Sequence, residues 1–133
     1  MRVREVIAYK NYFEEFLSGL PLKAQNKVFR VIEAIETLER IPSNYLKYIK
    51  GTEGLFEARI QLGTNIWRVF CFFDEGQLVI LLNGFVKKTQ KTPKKEIVKA
   101  DVYLIIRKHS LYPSNTSQYT SSSVRCIVKN HCR

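Results

Sequence analysis

Arg59 and Arg68 sit at equal distances from a Gly63-Thr64 pair inside two runs of alternating polar and apolar residues. If that pair is a two-residue hairpin loop, counting outward sets Leu62 against Asn65, Ile60 against Trp67 and Arg59 against Arg68. Side chains alternate across a strand. One face therefore collects Phe56, Ala58, Ile60, Leu62, Trp67, Val69 and Cys71 and must pack on the rest of the chain. The opposite, open face collects Glu57, Arg59, Gln61, Arg68 and Phe70. A second turn at Glu75-Gly76 then brings Asn83 opposite Arg68. Directly opposed arginines repel and weaken a sheet, so something must compensate. Glu57 and other acids on a solvated face are one answer. The other is an anion, because guanidinium forks match phosphate oxygens in pairs. A lysine-rich run, Lys87-Lys88-Thr89-Gln90-Lys91-Thr92-Pro93-Lys94-Lys95, begins where the last strand ends. Alone it reads equally well as a solvated loop. Here it leads into a helix N-terminus, whose free N–H groups favour anions, and it predicts a phosphate-binding rim beside the arginines.

The elements that must carry these residues follow from periodicity. Residues 3–9 are a short β-branched run and predict a first strand. Tyr12, Phe13, Phe16, Leu17 and Leu20 fall on one side of a helix over 11–20, broken by Gly19 and Pro21. A second helix shows an apolar stripe of Leu22, Val28, Val31, Ile32, Ile35 and Leu38, with Pro42 as its stop. So short a joint predicts an antiparallel helical hairpin. Residues 43–54 lack periodicity, although Tyr45 and Tyr48 are rings on which bases could stack. Three strands, 55–62, 66–73 and 77–85, then read as a meander. Thr92 as N-cap and Pro93 as first helical residue predict a helix from about Lys94. The expected fold class is α+β, a small antiparallel β-sheet with an N-terminal helical hairpin on one face. Residues 1–100 form the expected domain. Residues 101–133, with a brief apolar run at 102–106 and many Ser and Thr over 110–123, are expected to be a partly disordered extension.

The chain has 133 residues and a net charge of +10, with 22 Lys and Arg against 12 Asp and Glu. Charge of that size on one small domain attracts polyanions, with nucleic acid the foremost class. A basic surface kept for solubility and an acidic protein partner are the other readings. No apolar stretch follows Met1-Arg2-Val3-Arg4-Glu5, so neither a signal peptide nor a membrane span is expected. Cys71, Cys126 and Cys132 have no zinc-ligand spacing, and Cys71 among aromatics reads as a small buried hydrophobe. An odd cysteine count without a leader fits the reducing cytoplasm. No metal or cofactor is implied.

Leu55-Phe56-Glu57-Ala58-Arg59, Trp67-Arg68-Val69-Phe70 with Phe72-Phe73, and Leu81-Leu82-Asn83-Gly84-Phe85-Val86-Lys87-Lys88-Thr89-Gln90-Lys91-Thr92-Pro93 resemble the phage-derived, HigB-like branch of the RelE/ParE toxin superfamily. The likeness runs from about residue 5 to 100. It implies a toxin of a type II toxin–antitoxin system, an endoribonuclease that cleaves mRNA in the ribosomal A site. Its implied partners are the ribosome, mRNA and a cognate antitoxin that often has a helix-turn-helix domain. By position, Arg59 and Arg68 hold the scissile phosphate, with Lys88 beside them in the catalytic set. Lys87, Lys91, Lys94 and Asn83 contact flanking RNA. The sequence departs from many relatives in having no histidine before His109 and no tyrosine between Tyr48 and Tyr103, so it names no general base. A DNA gyrase poison of the ParE type, or an inactive RNA-binding relative, shares the same expected fold.

Overall fold

The computed structural model describes residues 2–74, 77–88, 91–108 and 119–123. Its elements run β1 (Glu5–Tyr9), α1 (Tyr12–Ser18), α2 (Leu22–Thr37), β2 (Leu46–Tyr48), β3 (Leu55–Leu62), β4 (Asn65–Asp74), β5 (Leu78–Val86), α3 (Lys94–Lys108) and β6 (Tyr119–Ser123). The strands form one sheet in the order β2-β3-β4-β5-β1-β6. This is an α+β fold with a mostly antiparallel sheet. The β1–β5 pair is parallel, because the helices and the meander intervene and return the chain in the same direction.

The β3–β4 hairpin has the register that alternation predicts. Leu62 pairs with Asn65, Ile60 with Trp67 and Arg59 with Arg68. Gly63 takes a φ of 63° while Thr64 stays outside the left-handed region, the pattern of a II′ turn that matches strand twist. On one face, Ala58, Ile60, Trp67, Val69, Cys71, Val79 and Leu81 bury against Phe13 and Leu17 of α1 and Ala24, Val28, Val31, Ile32 and Ile35 of α2. Trp67 and Cys71 are thus core residues, as expected. Burial in this apolar layer pushes the Cys71 thiol up to about 12.

The second turn departs from the two-residue expectation. Asp74 pairs with Leu78, so three residues separate the strands, and a register shift between Val69 and Cys71 adds one more. Arg68 consequently faces Phe85, and the expected pairing of Arg68 with Asn83 is not formed. An extra residue at such a bulge leaves composition and alternation on either side unchanged. It was invisible to counting.

The face expected to be open is closed over much of its area. Leu55, Phe70, Phe72, Ile80, Leu82 and Phe85 form a second core with Ala100 and Leu104 of α3. The helix begins at Lys94 as predicted, but Thr92 does not cap it. Pro93's carbonyl accepts the amides of Glu96 and Ile97, and the Thr92 hydroxyl donates to Glu57 instead. α3 is continuous across residue 100 and β6 lies beside β1; the rest of the expected extension, residues 109–118 and 124–133, lies outside the described residues.

Two side chains outside the meander hold the layers together. α2 has no basic residue in its last turn, and Arg4 of the N-terminal segment supplies one. Its guanidinium donates to the carbonyls of Ile35, Leu38 and Glu39, satisfying groups that a helix end leaves bare. Arg107 of α3 closes the other side on Asp74 at 2.6 Å.

Candidate RNA-binding cleft

α3 does not reach the hairpin end of its face, and there a cleft of about 540 Å3 remains. Arg59, Gln61, Thr64, Ile66, Arg68, Lys87 and Lys88 line it. β3 supplies Arg59 and β4 supplies Arg68, opposed across the ladder. The two guanidinium groups are held apart by different tethers. Arg59 leans outward and donates to the Ser43 carbonyl at 3.3 Å. Arg68 is only 4% exposed, donates through Nη1 to the Trp67 carbonyl at 3.0 Å and places Nε 3.4 Å from a Glu57 oxygen. That last approach lacks hydrogen-bond alignment and is a charge contact. Thr92 donates to the same Glu57 oxygen at 3.3 Å, linking the lysine-rich segment to the floor beneath the arginines.

Desolvation is the largest influence on Arg68 and lowers its pKa; Glu57 opposes this and Arg59 adds to it. Lys87 shifts the same way. Burial is again the first cause, followed by repulsion from Arg68, with Arg59 and Lys47 contributing and Glu57 opposing. The cleft is therefore a concentration of positive charge with one buried carboxylate behind it. Such an arrangement offers forked and point-charge donors to an anion with oxygens on several sides, as a phosphodiester has.

The residues singled out by sequence fall into two groups. Arg59, Arg68, Lys87 and Lys88 meet in the cleft. Lys91 and Lys94 are exposed outside its lining, Lys94 at the start of α3. Asn83 is buried, and its amide reaches Glu96 of α3 at 3.5 Å; it belongs to the contact between sheet and helix. Thr64, Ile66 and Gln61 were not singled out as site residues. Their sequence signals are proximity to the Gly63-Thr64 turn and, for Gln61 and Ile66, the alternation that puts them on the arginine face.

The family described as phage derived protein Gp49-like (DUF891) matches residues 15–104, more than half of the chain and every cleft residue. The chain belongs to this family. Gp49-like proteins are a RelE/ParE-like toxin family, so the chain is a toxin-like protein of phage-derived type. Among curated proteins, none matches its sequence. No helix among its described residues is long and apolar enough to cross a membrane.

Proposed function

We propose that this Gp49-like protein is the toxin of a type II toxin–antitoxin pair and a ribosome-dependent endoribonuclease of HigB-like type. The observation that carries the reading is the opposed Arg59–Arg68 pair, both lining the cleft at one end of an otherwise covered sheet face, with Arg68 nearly buried. A sheet gains nothing from facing arginines, whereas a bound phosphate removes their repulsion. In the transition state of RNA cleavage, charge grows on the phosphate oxygens, and donors fixed in advance stabilise it without reorganising. Arg59 and Arg68 are those donors, and Lys88 adds charge at the mouth of the cleft. Lys91 and Lys94 extend the basic rim toward flanking phosphates; Asn83, engaged with Glu96, takes no part.

The ribosome's contribution is alignment. Holding the backbone for in-line attack lowers a barrier by several kcal/mol, up to roughly 7–11 at best. A site made of arginines and lysines depends on such help, and free RNA is cut weakly or not at all. The protein acts in the cytoplasm, where its message and its ribosome are. A cognate antitoxin, often with a helix-turn-helix domain, keeps it silent.

Expression without an antitoxin is expected to arrest growth, and primer extension on a translated message is expected to show new 5′ ends within codons only when ribosomes are present. Growth arrest with intact messages and accumulated gyrase–DNA complexes replaces this reading with a ParE-like one.

A further inference from the structure

We propose that Lys87 takes the proton from the attacking ribose hydroxyl when RNA is cut in the Arg59–Arg68 cleft; this assignment rests on the nuclease reading above. In the step, the 2′-oxygen forms a bond to the adjacent phosphorus and the bond from phosphorus to the 5′-oxygen breaks. The 2′-hydroxyl proton passes to Nζ of neutral Lys87. The leaving 5′-oxygen takes a proton from water. A 2′,3′-cyclic phosphate and a 5′-hydroxyl remain, and Lys87 then returns its proton to solvent.

Elimination among the cleft's own groups leads to this residue. Among the described residues the lining is Arg59, Gln61, Thr64, Ile66, Arg68, Lys87 and Lys88. A guanidinium does not give up its proton in a protein, and the amide, hydroxyl and aliphatic side chains are not bases at neutral pH. Glu57 is outside the lining, behind Arg68 and engaged by the Thr92 hydroxyl. Two lysines remain, and geometry separates them. The Lys87 amide donates to the Ile66 carbonyl at 2.8 Å, which continues the β4–β5 ladder one residue past Val86. Strand alternation then matters. Phe85 pairs with Arg68 and lies on the α3 side, so Lys87, two residues on, emerges on the arginine face. Lys88 lies past that last ladder bond and, although it also lines the cleft, is exposed.

The charges around Lys87 come from every neighbouring strand: Arg59 and Glu57 on β3, Arg68 on β4 and Lys47 on β2. Burial and the three cations favour the neutral amine, and Glu57 opposes them. A base must be unprotonated to act, and such tuning raises the fraction available near neutral pH.

The test is the pH dependence of single-turnover message cleavage on translating ribosomes, with ribosome binding measured alongside. Cleavage by the wild type is expected to rise close to tenfold per pH unit below the Lys87 pKa and then level off. Lys87→Arg keeps the charge and is expected to lose about 10²–10⁴ in rate with ribosome binding unchanged. Lys87→Cys, aminoethylated in a Cys126→Ser, Cys132→Ser background, restores a less basic amine and is expected to recover cleavage with the rising limb at lower pH. Lys47→Gln removes a charge that favours the neutral amine and is expected to move the limb to higher pH.

Cleavage by Lys87→Arg within a few fold of wild type, or an unmoved limb in the aminoethylated protein, removes Lys87 from the role and leaves the nuclease reading standing. Loss of cleavage together with ribosome binding makes Lys87 a binding group and equally overturns the proposal. A wild type that cuts nothing takes down the nuclease reading, and this assignment with it.

Discussion

Arg59 and Arg68 face each other across the ladder, yet the consequences of removing them differ because their tethers differ. Arg68 is the buried partner, and Arg68→Ala is expected to slow the proposed cleavage by about 10²–10³, the usual loss for one fixed donor to a transition state. Ribosome binding, spread over many contacts, is expected to change little. Arg59→Ala is expected to slow cleavage similarly while raising the denaturation midpoint slightly, since it removes like-charge repulsion. Single-turnover primer extension and a urea titration on the two variants check both statements. Glu57→Ala tests the floor of the site. Leaving a buried guanidinium without its carboxylate costs about 3–5 kcal/mol in fully enclosed pairs; beside an open cleft the lower end of that range, or less, is expected. A loss within about 0.5 kcal/mol, the size of an ordinary surface change, would mean that Arg68 is effectively solvated.

Titration at Cys71 and Tyr103 has a definite sign. Both groups have folded pKa values raised to about 12 with burial as the first cause. A group raised on folding contributes stability that is complete below its unfolded pKa and is lost as pH climbs toward the folded value. Stability is therefore expected to fall between the ordinary thiol and phenol range and pH about 12. Urea midpoints across that window check it, and Tyr103→Phe is expected to flatten the decline.

At the scale of elements, the sheet is held from both sides and each side has a sensitive contact. Leu104 of α3 is buried in the second core, and Leu104→Ala is expected to cost about 2–5 kcal/mol by urea titration. On the other face, α1 lies so close to β5 that a Cβ at Gly84 would meet the Phe16 ring at 2.5–2.8 Å. The near atoms include the root of the ring, which cannot swing away without moving the helix. Gly84→Ala is expected to cost about 1–3 kcal/mol by overpacking, and Phe16→Ala in the same chain is expected to recover part of it. Equal stability of Gly84→Ala and wild type would show that α1 is free to lift.

The whole molecule carries a net charge of +10, and its first contact with RNA is expected to be governed by that field. Binding to ribosomes or single-stranded RNA should weaken steeply with salt. Each phosphate contact removed should lower the log–log slope by about 0.7. Lys88→Ala with Lys91→Ala is expected to flatten the slope by up to twice that amount. An unchanged slope would place both lysines on ordinary solvated surface. If the proposed antitoxin exists, it is expected to compete with this binding, which a pull-down at fixed salt with and without RNA would show.

Taken alone, the sequence determined whatever depends on neighbours along the chain. Alternation about Gly63-Thr64 set the Arg59–Arg68 register and sent Trp67 and Cys71 into the core, because a two-residue turn leaves a hairpin no freedom to slide. The start of α3 at Lys94 was legible from a proline that fits a helix beginning. Tertiary structure decided the rest. The bulge in β4–β5 shifted Asn83 away from Arg68, and nothing local distinguishes a bulge residue from its neighbours. Whether Thr92 capped α3 or held Glu57 was a competition between a backbone and a side-chain acceptor, resolved by a strand 35 residues away. That α3 covers the second face was foreshadowed by the unbroken apolar runs Val69 to Phe73 on β4 and Leu78 to Leu82 on β5, since a strand apolar on both sides needs cover on both sides. The cleft is the part of that face α3 does not reach. Its position follows from where a helix stops in space, which periodicity along a chain does not encode.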